Sequence, residues 1–418
     1  MMILVKRTTV ALDFLGCKLN QAETQELARE LAAAGYEPVA ADAPADVYVL
    51  NTCTVTHVAD RKSRQLLRAA RRRNPAARLV AVGCYADRAP EVLSGIEGVE
   101  LVLGNDAKRD LVSLLGPADR GEVLELQSIP AGRTRSFLRV QDGCANRCAY
   151  CIVPLVRDDV ISVPADDVVR MVNERAADGF REVVLTGTEI GTYRDGDHDL
   201  PALLARLLRE TSIERLRLSS LQPPEISERL VRLWQDPRLC PHFHLSLQSG
   251  SDAVLARMGR RYRTEQYGAT VDRIRREVAE AAVTTDVIVG FPGETDEEFR
   301  ESYDFCEKIG FARIHVFAYS ARPGTAAAIM PGQVAEGVKK ARSKEMLALG
   351  EASARLFREG FTGRTMSVLF EQEKGGLWHG LTGNYLKVYV KSREGLLNEL
   401  KPVALQKLYR DGLLGKPV

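Results

Sequence analysis

The chain has 418 residues, of which 45% are hydrophobic and 27% charged, with a formal net charge of +2 and a pI near 8.1. That balance is ordinary for a globular protein of two or three domains and excludes fibrous and low-complexity classes, so any nucleic-acid surface must be local. The opening "MMILVKRTTVALDF" is too short an apolar run for a signal peptide and no stretch reaches membrane-spanning length, so the expected location is cytoplasmic, where eight cysteines suggest metal binding or catalysis rather than disulfides.

The first 105 residues alternate short apolar runs with helical segments. "TTVALDFLG", "DVYVLNT" and "RLVAVG" read as strands, followed by helical patterns over Gln21–Ala34, Ala59–Arg73 and Arg88–Leu93. This alternation predicts an N-terminal doubly wound parallel-sheet domain over residues 1–105. A cysteine follows each strand: Cys17, Cys53 and Cys84. Ligands of such sheets sit outside the carboxyl ends of the strands, so the three thiols are expected to meet along one side. A buried-core role fits any one of them; three in succession, each beside a loop-forming residue, favour a shared metal centre. Between the first two domains, residues 106–133 read as a linker.

The stretch "DGCANRCAYC" then sets Cys144, Cys148 and Cys151 in the spacing C-x3-C-x2-C. Iron–sulfur clusters are held by thiolates, normally four, and three ligands leave one iron open to bind a small molecule. Structural zinc would require a fourth ligand in a closed tetrahedral set, and no second cysteine pair lies nearby.

From residue 134 to 358 the alternation resumes. The strands "FLRVQ", "EVVLTG", "RLRLSS", "FHLSLQ", "TTDVIVG" and "RIHVFAY" have helical patterns between them, including "PADDVVRMVNERAADG", "EISERLVRLWQ" and "TDEEFRESYDFCEKIG". Six such units predict a partial (β/α)6 barrel with its site at the carboxyl ends of the strands. The polar and glycine residues at those ends are candidate cofactor contacts: Thr186, Gly187, Glu189, Ser219, Ser220, Gln248, Gly290 and Glu294, with Tyr150 beside the third cysteine. Cys306 reads as a core residue on an amphipathic helix, and Cys240 as a loop residue without a partner.

Residues 362–418 contain short strands and a Gly375-Gly376 turn, which suit a small antiparallel β-barrel. Two basic clusters stand out. "RKSRQLLRAARRR" places Arg61, Lys62, Arg64, Arg68 and Arg72 on a helix as candidate phosphate contacts, and "RMGRRYR" contains Tyr262, a candidate for stacking on an unpaired base.

The triple-cysteine motif with Tyr150 resembles the signature of radical S-adenosylmethionine enzymes. Together with the first three cysteines, the whole chain resembles the methylthiotransferases. The words "LGCKLNQAETQ", "NTCTVTHVADRKSRQ", "RIHVFAYSARPGTAA" and "GLTGNYLKVYV" are similar to the bacterial branch that modifies threonylcarbamoyl-adenosine. This resemblance implies two 4Fe-4S clusters, an auxiliary one on Cys17, Cys53 and Cys84 and a radical one on Cys144, Cys148 and Cys151, with S-adenosylmethionine as cofactor. It also implies a C-terminal TRAM domain, tRNA as partner, an external electron donor and a sulfur donor of unspecified kind. The implied reaction is insertion of a methylthio group at C2 of N6-threonylcarbamoyladenosine at position 37 of tRNA. Two alternatives stay open: thiolation of a ribosomal-protein aspartate, whose branch reads more like Gly-Cys-Pro-Lys-Asn at the first cysteine, and an RNA-binding homologue with impaired catalysis. The second is motivated by "LVRDDVISVP", residues 155–164, where the family commonly has an aromatic or His, Ala-Arg-Gly and further arginines, and here Arg157 alone remains.

Overall fold

Aliphatic and β-branched runs at the start of the chain form a wholly parallel sheet, as their spacing from helix-forming segments requires. In the computed structural model, which describes residues 7–116, 118 and 134–418, its elements are β1 (Thr9–Phe14), α1 (Lys18–Ala33), β2 (Glu37–Val39), β3 (Val47–Thr52), α2 (His57–Arg73), β4 (Arg78–Gly83), α3 (Cys84–Arg88), α4 (Pro90–Ser94), β5 (Val99–Leu103) and α5 (Leu111–Leu115). The strand order is β2-β1-β3-β4-β5. Leu27 and Leu31 of α1 and Leu111 and Leu115 of α5 pack on one face, and Leu67 and Ala70 of α2 with Tyr85 and Leu93 pack on the other, so the sheet is doubly wound. The Thr56 hydroxyl accepts the Ala59 N–H and starts α2, and Arg71, Arg72 and Arg73 sit favourably at its carboxyl end. The segment read as a linker is therefore partly structural: α5 lies inside the N-terminal core. Residues 117 and 119–133 of that segment lie outside the described residues.

The second unit opens with β6 (Arg135–Arg139) and a small ladder, β7 (Gln141–Asp142) with β8 (Ile161–Ser162), which frames the cysteine loop. There follow α6 (Ala165–Ala177), β9 (Glu182–Thr186), the ladder β10 (Arg194–Asp195) with β11 (His198–Asp199), α7 (Leu200–Glu210), β12 (Arg215–Leu218), β13 (Ser220–Leu221), α8 (Glu228–Val231), β14 (His242–Leu245), α9 (Asp252–Arg257), α10 (Thr264–Glu277), β15 (Ala282–Val289), α11 (Asp296–Ile309), β16 (Arg313–Ala318) and α12 (Glu336–Glu359). The strands run in the order β6-β9-β12 and β13-β14-β15-β16, all parallel, and β6 does not pair with β16, so the barrel is open on one side. Helix α1 covers that opening at β6, where Ala22 packs on Phe137 and Val184. The predicted "EISERLVRLWQ" helix is only one turn of α-helix, α8, flanked by 3-10 turns, because Pro223 and Pro224 shape its start.

Side chains alternate along each barrel strand. Val183, Leu185, Leu216, Phe243, Leu245, Val283 and Val287 face outward into the main core beneath the helices. Their neighbours face a polar lumen that includes Glu182, Arg217, His242, His244, Thr284, Asp286 and His315. Cys306 is fully buried in the outer core, as its helix pattern predicts.

The C-terminal unit is a closed five-stranded barrel of β17 (Thr365–Lys374), β18 (Leu377–Thr382), β19 (Lys387–Val390), β20 (Leu400–Tyr409) and β21 (Gly412–Pro417). Four of its five pairings are antiparallel, but β19 runs parallel to β21, a departure from the all-antiparallel expectation. The turn after β18 reaches the amino ends of the barrel strands of the second unit. There Arg217 donates to the Gly383 carbonyl at 2.7 Å, pairs with Glu182 at 2.7 Å and stacks 3.7 Å from the Tyr385 ring centroid. Tyr385 adopts φ 64°, a left-handed conformation that a tyrosine takes only under tertiary constraint, and its ring meets His242 edge-on at 4.5 Å. The ring thus forms the floor of the lumen.

Candidate functional site

Because β1, β3 and β4 are adjacent in the sheet, the residues after their carboxyl ends are neighbours too. Cys17 caps α1, Cys53 follows Thr52 directly and Cys84 begins α3. Asn20 joins two of these turns, donating to the Leu15 carbonyl at 2.8 Å and the Thr52 carbonyl at 3.0 Å. Gly16 has φ 111°, and a Cβ there would lie 2.7 Å from both Cβ and Sγ of Cys53. Gly16→Ala should therefore cost about 1–3 kcal/mol of backbone strain and push Cys53 aside. The expected result is a folded protein whose iron content, measured per chain, falls to about half.

The second trio lies in the loop between β7 and β8. The loop is held from both sides, as Ala149 N–H donates to the Met258 carbonyl at 2.9 Å and Ala327 N–H to the Ala149 carbonyl at 2.8 Å. The thiols open on a cavity of about 130 Å³ at the carboxyl ends of the barrel strands, too large to be a packing defect. Its wall includes Tyr150, Thr188, Glu189, Ser220, Gln222, Glu225, Gln248 and Arg260. Glu189 accepts from Cys144 Sγ at 3.1 Å and also from the amides of Asn146 and Gln222. Arg260 donates to Cys148 Sγ at 3.3 Å and to Gln222 at 2.8 Å.

Burial pushes the Cys53 and Cys144 thiols up to about 12 and Cys151 to about 11. Without a cation these groups stay protonated and make poor nucleophiles, which disfavours thiol catalysis. Donors nevertheless converge on the sulfurs: Arg260 on Cys148, the Asn146 N–H on Cys144 at 3.4 Å, and Arg157 Nε and the Asn105 amide on Cys84 at 3.3 and 3.6 Å. A neutral thiol is a weak acceptor, so this donor set fits metal-bound sulfur better. Among the described residues no three His, Cys, Asp or Glu side chains close around a single-ion position.

Arg157 joins the two trios. Its side chain, 3% exposed, pairs with Glu23 of α1 at 2.8 Å and with Asp142 at 2.6 Å while Nε reaches Cys84. Lys108 is the second cation on Glu23, at 2.5 Å. Burial alone would push the Glu23 carboxyl up, but the two cations outweigh it and hold the group far below the ordinary range. A second tie runs from the loop after β16, where Arg322 pairs with Asp60 at 2.6 Å and donates to Thr54, next to Cys53, at 2.8 Å.

Of the residues singled out by the sequence, Tyr150, Glu189, Ser220 and Gln248 line the cavity with the three cysteines. Thr186 is buried at the end of β9, and Gly187 packs so closely on Gln141 that a Cβ would meet its carbonyl at 2.8 Å. Ser219 is buried one residue before the cavity wall. Gly290 and Glu294 lie away from it: the Glu294 carboxylate accepts the Gly290 N–H at 2.6 Å and pairs with Arg342 of α12 at 2.7 Å, which secures a loop rather than a ligand. Tyr262 is also a correction, since it is buried and donates to the Leu247 carbonyl at 2.9 Å, leaving no face for a base. Gln222, Glu225 and Arg260 were not singled out as cavity residues, because their approach to the cysteines is created by barrel closure. A second cavity of about 380 Å³ lies at the amino ends of the strands, lined by Gly179, Phe180, Arg181, Ser212, Glu214 and Asn398; it has no thiol, and Arg181 and Glu214 neutralise one another.

On α2, Arg61, Lys62, Arg68 and Arg72 are exposed, and Arg61, Arg68 and Arg72 recur at helical spacing on one face opposite the buried Ser63, Leu67 and Ala70. Arg64 departs from the group, being half-buried against Tyr85, to whose hydroxyl it donates.

Two family models match the chain, the radical SAM superfamily over residues 138–306 and the uncharacterized protein family UPF0004 over residues 9–104. The threonylcarbamoyladenosine tRNA methylthiotransferase MtaB of Bacillus subtilis (strain 168) is 36% identical, covering 96% of this chain and 94% of the relative. The enzyme of the same name from Aquifex aeolicus (strain VF5) is 38% identical over 92% of this chain and 97% of the relative. A tRNA-2-methylthio-N(6)-dimethylallyladenosine synthase from Syntrophotalea carbinolica is 32% identical over 97% and 99%. Among solved structures, the radical S-adenosylmethionine methyltransferase TsrM from Kitasatospora setae superposes with a TM-score of 0.56 at 16% identity, over 77% of this chain and 75% of that one, a likeness of fold. Among the described residues no helix is long and apolar enough to cross a membrane.

Proposed function

The chain belongs to the radical S-adenosylmethionine methylthiotransferases, and on that basis we propose that it inserts a methylthio group at C2 of N6-threonylcarbamoyladenosine in tRNA. It uses S-adenosylmethionine and two 4Fe-4S clusters, with Cys144, Cys148 and Cys151 as ligands of one and Cys17, Cys53 and Cys84 as ligands of the other. The observation that carries this assignment is Arg157, which follows Cys151, donates to the Cys84 sulfur and pairs with Glu23 of α1 and with Asp142 before Cys144, so that one side chain ties the two trios together. When bound, the clusters supply reductive cleavage of S-adenosylmethionine to a 5′-deoxyadenosyl radical and the sulfur to be transferred.

The chain's own side chains bind and orient. Arg260 and the Asn146 N–H support the sulfurs of Cys148 and Cys144, and Glu189, Gln222 and Gln248 offer hydrogen bonds to a polar cofactor in the cavity. The exposed arginines of α2 lie in the helix that begins beyond Cys53 and are suited to tRNA phosphates. In their absence RNA of any sequence binds less well. For Arg61→Ala, Arg68→Ala and Arg72→Ala combined, the slope of log affinity against log salt should fall by about 0.9 for each duplex phosphate that is no longer neutralised, read from a binding titration at several salt concentrations. The C-terminal barrel is assigned as a TRAM-type RNA contact on family resemblance. The enzyme works in the cytoplasm with an external electron donor and a sulfur source.

The test is mass spectrometry of tRNA nucleosides from a bacterium lacking its own methylthiotransferase, with and without this gene. Appearance of the 2-methylthio derivative of threonylcarbamoyladenosine is expected. A methylthio product on another base, or none from protein with both clusters loaded, refutes the assignment.

A further inference from the structure

The lumen below the cavity contains a cation that the proposed reaction does not use. Lys18, the first residue of α1 and the one after Cys17, extends through the barrel opening until its ammonium lies 5.9 Å from the Tyr385 ring centroid. The charges that act on it come from all sides: Arg217 and Arg135 repel it, and Asp286 and Glu182 attract it. The two arginines of this group each have a carboxylate. Arg217 has Glu182 at 2.7 Å, Arg135 has Glu371 at 2.5 Å, and Asp286 accepts from His244 at 3.2 Å. Lys18 alone forms no ion pair or hydrogen bond among the described residues. A half-buried ammonium beside two guanidinium groups, with its neighbouring carboxylates engaged by other partners and none in contact with it, is a site for an anion.

The surroundings define which anion. Asp286 pairs in register with His315 and Ile288 with Phe317 on the next strand, so these side chains form rows on the lumen face. Asp286 remains 28% exposed, and Phe317, two residues nearer the cysteine end of the strand, remains 43% exposed although it points into the barrel. From the mouth downward the lumen therefore offers thiols, an open aromatic face, then a carboxylate–imidazole pair with Thr284 bonded to His244 at 2.9 Å, then the unmatched ammonium above Tyr385. An adenine on Phe317 directs a long N6 substituent downward to a hydrogen-bonding row that ends in a positive charge.

We propose that Lys18 binds the carboxylate of the threonylcarbamoyl group, with Asp286 and His315 contacting its hydroxyl and ureido atoms, so that Lys18 is the specificity-determining residue of this enzyme. The assignment rests on the proposed function and adds to it the reason for the substrate. A hydrocarbon substituent such as dimethylallyl would leave Lys18 without an ion-pair partner and be disfavoured.

The experiment uses cluster-loaded, full-length protein and two anticodon stem-loop RNAs, one with threonylcarbamoyladenosine and one with its carboxylate blocked as the methyl ester. Wild type is expected to bind the acid at least tenfold more tightly than the ester, by fluorescence anisotropy. Lys18→Met should lose that preference by weakening the acid alone, and Lys18→Arg should restore most of it. Equal binding of acid and ester by wild type overturns the proposal however the variants fold. Equal weakening of both RNAs by Lys18→Met overturns it as well, since that is the result of a structural role. If wild type prefers the acid yet methylthiolates neither RNA, the binding site stands and the assigned reaction fails; if it methylthiolates the acid RNA without preferring it, the reaction stands and the site fails.

Discussion

Cys148→Ala is expected to abolish 5′-deoxyadenosine formation from S-adenosylmethionine, whereas Cys53→Ala should leave it measurable and abolish methylthiolation. The first substitution removes one of three thiols at a centre that is already one ligand short of four, so the expected loss is at least about 10³-fold, or ~4 kcal/mol of barrier. It should not unfold the protein. Cys148 is half-buried, and Arg260 keeps Gln222 at 2.8 Å and the Tyr262 hydroxyl at 3.1 Å when the sulfur is gone. Cys53 is buried beneath Gly16 in the other trio, on a different sheet, and its removal leaves the loop of residues 143–152 and its supports from Met258 and Ala327 untouched. The two variants are compared by counting 5′-deoxyadenosine and methylthiolated nucleoside in the same reactions. A Cys53→Ala protein that still methylthiolates RNA at the wild-type rate contradicts the assignment of the first trio.

Arg157→Ala is expected to cost about 3–5 kcal/mol of stability, because it leaves Asp142 and Glu23 short of a cation in a buried position. The effect has a pH signature. The Lys108 and Arg157 charges overcome burial and lower the Glu23 carboxyl below its unfolded value of about 4.3, so the stability it contributes is present above that value and is lost as pH falls through the folded one. In Arg157→Ala only Lys108 remains, the folded value moves up toward the unfolded one, and less stability is left to lose in acid. Urea midpoints should therefore differ most between wild type and variant near neutrality and converge as pH falls. A constant difference across pH contradicts the electrostatic account. The same variant removes the donor to Cys84 Sγ, and the visible spectrum of the loaded protein should change even where the fold survives.

The altered segment after the third cysteine looks different once folded. Asp158, Asp159 and Val160 are exposed, whereas Arg157, the arginine that the sequence retains, is buried between the trios. Of the departures from the family pattern, the two aspartates thus face solvent, while Val156 is buried with its carbonyl on the Asn105 amide.

What the sequence made legible is local. Period-two and period-3.6 patterns identified the strands and long helices; the place of a cysteine after each of three adjacent strands identified the first trio, and the C-x3-C-x2-C spacing the second. Pairings between distant segments were not legible. Arg322 and Thr54 are 268 residues apart, and nothing near either one announces the other. Tyr262 in a basic stretch suggested a surface ring, but barrel closure turned it inward onto Ser246 and Leu247. Gly290 and Glu294 sit at a strand end that is polar for the sake of Arg342, a residue of α12 some fifty positions further on. Tyr385 had no local signal at all beyond its place after an Asn in a turn.

That tyrosine has a kinetic consequence. With its ring packed on Arg217 and edge-on to His242, and with α1 lying along β6, the lumen is stopped at its floor and covered on its β6 side. On the proposed arrangement an N6 substituent that enters from the cysteine end leaves by the same end, so the base and its substituent withdraw together and the dwell time of the anticodon arm sets how fast the lumen is vacated.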